Sequence, residues 1–141
     1  VPARKAFEWC TTYTPSDYIL MGEKGASRRI EHITDLTVIL TDTFNTGADN
    51  QIEKQKLVQF YPDKLFWTST HISGPAKHSQ FLYQITAEAV NLSSLDFTGL
   101  FLDFRDKKMS ESDAAKLGEK ICKEDARAWE LLAKAMEKEL C

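Results

Sequence analysis

Much that would announce chemistry is missing from this chain. It holds three histidines and three cysteines in 141 residues, and they do not fall at the spacings by which three or four ligands converge on a metal. There is no Gly-x-Ser-x-Gly turn to present a strained nucleophile, and no glycine-rich phosphate loop. No cofactor or metal is implied. Lysine and arginine number 18 against 21 aspartates and glutamates, a net charge of -3, so the positive field that phosphate backbones require is absent and nucleic acid is excluded as a partner. No apolar run approaches the ~20 residues needed to cross a bilayer, and no lipidation signal is present. There is also no internal repeat and no low-complexity segment.

What is present is enough for one ordinary core. At 43% hydrophobic residues, the chain reads as a single domain over residues 1–141. It opens Val1-Pro2-Ala3-Arg4-Lys5, the kind of end that removal of a signal peptide leaves, which points to a secreted or periplasmic setting with a cytoplasmic one as the alternative. Three cysteines allow one disulfide and an odd thiol. Cys10 and Cys122 are the expected pair, because each lies within a regular element while Cys141 is terminal; the alternative is reduced, buried thiols in a cytosolic protein. Asn91-Leu92-Ser93 forms an N-glycosylation sequon, a triplet common by chance.

The strongest local signal is the C-terminal run Ser110 to Leu140. Ser110 and Asp113 resemble a capping box with the shorter acid. Ala114, Leu117, Ile121, Ala128, Trp129, Leu132, Met136 and Leu140 recur at steps of three and four, with one longer step across Asp125, as one stripe of an amphipathic helix does. Glu119 with Lys123 and Glu130 with Lys134 add only ~0.2–0.5 kcal/mol per pair. The stripe therefore needs an extended apolar surface to lie on. Gly118, at ~1 kcal/mol against Ala, is where a bend is expected if the rod is not straight.

Strand signals fill the middle of the chain. Lys5 to Thr14 reads as a strand or a short helix, and Ser16 to Gly22 as a short buried strand and turn. Arg28 to Ile33 follows, then Asp35 to Phe44, in which Leu36, Val38 and Leu40 alternate with threonines. Asn45 to Asn50 is a polar loop. Gln51 to Tyr61 and Leu65 to Ile72 form a hairpin through Pro62-Asp63-Lys64. After the Ser73 to Ser79 loop, Phe81, Tyr83 and Ile85 alternate with polar residues as a half-buried antiparallel strand does. Leu95 and Phe97 then share one parity and Leu100, Leu102 and Phe104 the other, so a bulge is expected at Gly99. Arg105 to Met109 is a charged bridge into the helix. The class is α+β: a curved antiparallel β-sheet of about six or seven strands with a long C-terminal helix packed on one face.

Functional candidates are weighed against plainer roles. His71 and His78, with Asp63 or His32, suggest at most a hydrolase or metal-dependent enzyme. Asp42, Asn45, Asp49 and Asn50 do not follow the order of a calcium loop. Lys24, Arg28 and Arg29, like Lys107 and Lys108, read as solvated strand-end charges. If Phe66 and Ile72 face the helix, Trp67 with Leu65 and His71 forms a partly exposed patch of the kind that marks binding surfaces; the alternative is that a second layer from the N-terminal segment covers Trp67. The leading expectation is accordingly a small non-catalytic protein acting by protein-protein interaction, of inhibitor, immunity or regulatory type. Its unidentified protein partner would meet Trp67, Leu65, His71, Asn45, Asp49 and His78. The alternative is a carrier whose apolar small ligand lies between sheet and helix, against Phe81, Tyr83, Ile85, Leu102, Trp129 and Met136.

Overall fold

The computed structural model describes residues 1–47, 49–104 and 107–141. Ala48 of the polar loop, and Arg105 and Asp106 of the bridge, lie outside the described residues. Six strands follow one another along the chain and lie in the same order in one antiparallel sheet: β1 Ala26–Thr34, β2 Thr37–Asn45, β3 Gln51–Tyr61, β4 Phe66–His71, β5 Gln80–Ala89 and β6 Leu92–Leu100. Helices α1, Ala3–Thr11, and α2, Asp17–Leu20, precede the sheet, and α3, Glu111–Leu140, follows it. The α+β class and the curved sheet beneath a terminal helix are as the periodicity indicates.

The N-terminal segment, open between strand and helix, is helical. Ala3, Ala6 and Phe7 bury one face of α1. The hydroxyls of Thr11 and Thr12 donate to the carbonyls of Phe7 at 2.8 Å and Glu8 at 2.7 Å, satisfying acceptors that a helix end leaves open. The expected strand at Ser16 to Gly22 is instead the single turn of α2. Asp17 accepts from the Thr14 amide at 3.0 Å and the Thr14 hydroxyl at 2.6 Å, a side-chain bond that competes with extended structure. Its apolar run is not buried: Ile19 is 70% and Leu20 41% exposed, and Tyr18 alone turns inward.

Register decides which side chains share the inner face. Phe60 pairs with Trp67, Val58 with Ser69 and Lys56 with His71, so Trp67, Ser69 and His71 point inward with Val58. Phe66 packs outside against Tyr61, with ring centroids 5.1 Å apart. This reverses the expectation that Phe66 and Ile72 face the helix. The cause is Leu65, which follows the Pro62–Lys64 turn in a left-handed conformation (φ 51°) and re-aims the strand.

The bulge expected at Gly99 is also absent. Phe81 pairs with Gly99 between the regular pairs Gln80 with Leu100 and Leu82 with Thr98, and the register shift lies at Ala87/Ala89. Gly99 is needed for another reason: a Cβ there would stand 2.8 Å from the Phe81 ring. Leu100, with its parity unchanged, is 57% exposed.

The core is Ala3, Ala6, Phe7, Val38, Leu40, Val58, Trp67 and Ile85, of which each large side chain gives roughly 1.5–3 kcal/mol on burial. Above it α3 runs unbroken through Gly118 for 30 residues, about 45 Å. The Ser110 hydroxyl accepts from the Asp113 amide at 3.1 Å and donates to its carboxylate at 2.7 Å. None of the α3 side chains is fully buried. Leu117, Ile121, Trp129, Leu132 and Met136 of the apolar stripe are half-buried, because much of what lies below them is space.

The Cys10–Cys122 bridge is not formed: Cys10, Cys122 and Cys141 are free. Trp9, beside Cys10, donates to Glu139 at 2.9 Å. That anchors α1 at the far end of α3, about 25 Å of helix beyond Cys122, whereas a disulfide needs Cα atoms within ~7 Å. The cysteines therefore lend no support to an oxidising compartment. Burial pushes the Cys10 thiol up to about 12, which leaves it a poor nucleophile.

Candidate functional site: a cavity between sheet and helix

The space under α3 is a cavity of about 960 Å3, bounded by α1, α2, the inner sheet face and the C-terminal part of α3. Aromatic rings form much of its wall. Tyr83 stacks on Trp67 at 4.8 Å and 7°, and Trp129 descends from α3 to within 5.4 Å of Tyr83 and 6.1 Å of Trp67, measured between ring centroids. Trp9, Tyr13, Tyr18 and Phe44 complete it. A second chamber of about 530 Å3, lined by Phe81, Phe97, Phe101, Leu117 and Ile121, lies beneath the N-terminal part of α3, and the two meet at Asp125.

One wall is charged. Asp42 on β2 is wholly buried and accepts from Arg28 Nε at 2.7 Å, Arg28 Nη2 at 3.1 Å and the Tyr18 hydroxyl at 2.6 Å. Lys56 of β3 reaches the same carboxylate at 2.7 Å, and Arg28 extends to Asp17 at 2.7 Å. Burial alone would raise the Asp42 carboxyl, but the Arg28 hydrogen bonds and the charges of Lys56 and Arg28 outweigh it and hold it down at about 2. Burial works the other way on Lys56, lowering its ammonium below the usual lysine range against the opposing pull of Asp42.

These residues were not singled out in the sequence as a group, though a signal existed. Arg28 shares the parity of Ile30, Asp42 that of Val38 and Leu40, and Lys56 that of Val58. Charges at apolar parity on three consecutive strands mark a buried polar cluster.

The expected site residues scatter. Trp67 is 0% exposed, so the surface patch proposed around it does not exist; the N-terminal helix covers it through Phe7, whose ring stands edge-on 5.9 Å away. Leu65 packs half-buried against the core. Asn45, Asp49 and His78 are exposed. His71 turns inward onto Phe81 at 5.2 Å, while His78, with φ 70°, lies outside against Phe104 at 6.0 Å. The two histidines do not converge, and among the described residues no group of three or more histidines, cysteines, aspartates or glutamates could hold a metal. Of the residues expected for a ligand cavity, Tyr83 and Trp129 line the larger chamber and Phe81 the smaller. Ile85 and Met136 belong to the core and its margin. Leu102 is held by its amide, which donates to the buried Ser79 hydroxyl at 2.8 Å.

His71 also predicts an acid response. Burial first, then the charges of Lys56 and Lys54, hold its imidazole down to about 4, and Nδ1 has no hydrogen-bond partner among the described residues. Its folded pKa is below the unfolded value of about 6.5, so the unfolded chain binds the proton more tightly. Stability is unaffected above pH 6.5 and is lost as pH falls towards 4. Thermal melts across that window should drop, and His71→Phe should make the drop about 5 °C shallower.

A curved six-stranded sheet gripping a long helix over a cavity is a helix-grip architecture of the Bet v 1-like kind. The chain is similar in structure to the Zhui aromatase/cyclase from Streptomyces sp. R1128, with a TM-score of 0.78 at 10% identity over 100% of this chain and 90% of that one. It is similar also to TTHA0849 from Thermus thermophilus, with 0.70 at 9% over 100% and 93%, and to Ara h 8.0201, with 0.67 at 12% over 98% and 91%. At such identities the likeness establishes the fold. No family model matches the chain, and no curated protein sequence matches it.

The protein-protein reading is therefore corrected. Its anchor, Trp67, is interior, and the space between sheet and α3 is a cavity rather than a packed core. No described helix is long and apolar enough to cross a membrane.

Proposed function

We propose that the protein binds an apolar, aromatic small molecule in the cavity between sheet and α3. The observation that carries this reading is the chamber of about 960 Å3 walled by Tyr83, Trp129, Tyr18 and Phe44, within the size range that encloses drug-sized ligands. The half-buried state of the α3 stripe supports it too: a ligand would complete contacts that the protein leaves open. The similarity to an aromatase/cyclase is in keeping with a cavity that admits ring systems.

The neutral dye N-phenyl-1-naphthylamine should brighten on binding and be displaced by apolar competitors. Ala128 lies half-buried on the wall of the chamber, and Ala128→Trp would fill the space beneath α3. We expect that variant to bind the dye at least ~10-fold more weakly with its melting temperature retained. Undiminished binding would sink the reading.

Turnover is the second reading, favoured by Arg28 and the half-buried Lys56 on the cavity wall, both paired with the buried Asp42 behind it, since shifted ionisable groups cluster at catalytic sites. Native mass spectrometry separates the two. A molecule carried through purification and released unchanged after incubation supports binding, whereas a new mass supports turnover.

A further inference from the structure

We propose that Lys56 selects the ligand, its ammonium donating to a neutral oxygen acceptor, a ketone carbonyl or phenolic oxygen, on an aromatic molecule in the larger chamber. The proposal rests on the cavity being a ligand site and says which chemistry it prefers.

Lys56 is the only lysine among the described residues that line this chamber. It sits mid-strand, in register with Leu40 on one side and His71 on the other, so its side chain leaves the sheet from an otherwise apolar or neutral row. An ammonium has three N–H donors. One meets Asp42 at 2.7 Å, and no second acceptor for it stands among the described residues. Asp42 is also held by Arg28 through two nitrogens and by the Tyr18 hydroxyl, so its grip on Lys56 takes up one of the three ammonium donors and leaves two. The spare donors of Lys56 face the chamber, and leaving them unmet in a partly desolvated site is costly. Ser69 on β4 brings a hydroxyl to the same wall.

Charge counting chooses between classes of ligand. Arg28 and Lys56 balance Asp17 and Asp42. From above, Asp125 on α3 faces this cluster; burial raises its carboxyl, as does Glu124, while Lys56 and Lys54 act against that. A carboxylate ligand would bring surplus negative charge to a balanced wall under an acidic helix. A cationic ligand would meet Lys56 and Arg28. A neutral oxygen satisfies the ammonium without disturbing the balance, and a flat ring behind it would lie against Tyr83 and Trp129.

The test compares three naphthalenes by titration calorimetry on the full chain: 2-acetylnaphthalene, 2-ethylnaphthalene, which has no oxygen, and 2-naphthoate. We expect the acetyl compound to bind at least ~10-fold more tightly than the ethyl compound, the scale of a hydrogen bond to a charged donor, and the naphthoate to bind more weakly than the acetyl compound. Lys56→Met should bring acetyl and ethyl affinities within about twofold by weakening only the first, and Lys56→Arg should keep the preference. Equal wild-type affinities for acetyl and ethyl compounds would overturn the role of Lys56 while leaving the cavity reading intact, and they decide the matter even if Lys56→Met does not fold. Tightest binding of 2-naphthoate overturns the charge argument and with it the proposal. If no naphthalene binds, the cavity reading itself fails.

Discussion

Replacing Asp42 with alanine should cost the protein on the order of 3–5 kcal/mol, the penalty of leaving buried charge unpaired. The carboxylate is 0% exposed and holds together Arg28, Lys56 and Tyr18. Without it, Arg28 keeps Asp17 as its counter-charge and a bond to the Tyr18 hydroxyl at 3.3 Å, and Lys56 has no counter-charge within bonding distance among the described residues. Asp42→Asn should recover little, since it preserves shape but not charge. The double variant Asp42→Leu with Arg28→Met should be more stable than Asp42→Ala alone, because the guanidinium is no longer left buried without Asp42, and only Lys56 and the partly exposed Asp17 lose a partner. Urea unfolding of the four proteins measures this, and a loss below about 1 kcal/mol for Asp42→Ala would mean that the cluster is solvated.

The same residue has a pH signature. Its folded pKa of about 2 is depressed, so the stabilisation is fully present above the unfolded value of about 3.9 and is lost as pH falls towards 2. Wild type should lose stability between pH 4 and 2 through this group, and Asp42→Ala should lack that portion of the decline. The window lies below that of His71, so the two contributions separate on one titration.

Trp67→Ala should be comparably severe, about 3–5 kcal/mol, as for removal of a large buried aromatic. The indole is wholly enclosed, edge-on to Phe7 at 5.9 Å, stacked on Tyr83 at 4.8 Å and 6.1 Å from Trp129. It thus links α1, the sheet and α3 behind the wall of the chamber. Truncation removes this support from Tyr83 and Trp129, so dye affinity should fall along with stability. Trp67→Phe should keep much of both. Loss of stability with unchanged dye binding would show that Trp67 holds the core without shaping the chamber. A nearly neutral Trp67→Ala would contradict its enclosure.

Trp67 also marks where the sequence was readable and where it was not. Alternation located β4 and the turn before it, yet both faces of that segment carry apolar bulk, so periodicity could not say which face turns in. The answer came from the left-handed Leu65 and from pairing with Phe60 on β3. Gly99 is similar. The change of parity beyond it reads as a bulge, but the strand stays in register and simply ends, and Leu100 is left in solvent. The charged wall was partly legible, since Asp42 and Lys56 stand at apolar parity, but their meeting required neighbouring strands.

The sequence by itself determined the elements whose causes lie within one segment: the Ser110 cap and amphipathic period of α3, the alternation of β2 and β5, and the turn at Pro62. Hydrogen bonds between residues three or four apart, and side chains alternating along a strand, need no distant partner to be read. The tertiary structure alone decided that Trp67 is interior, that Cys10 and Cys122 stay apart, and that Arg28, Asp42 and Lys56 meet beside an unfilled space. Those outcomes depend on strand register and on the height at which α3 stands above the sheet, quantities set by contacts between residues far apart in the chain.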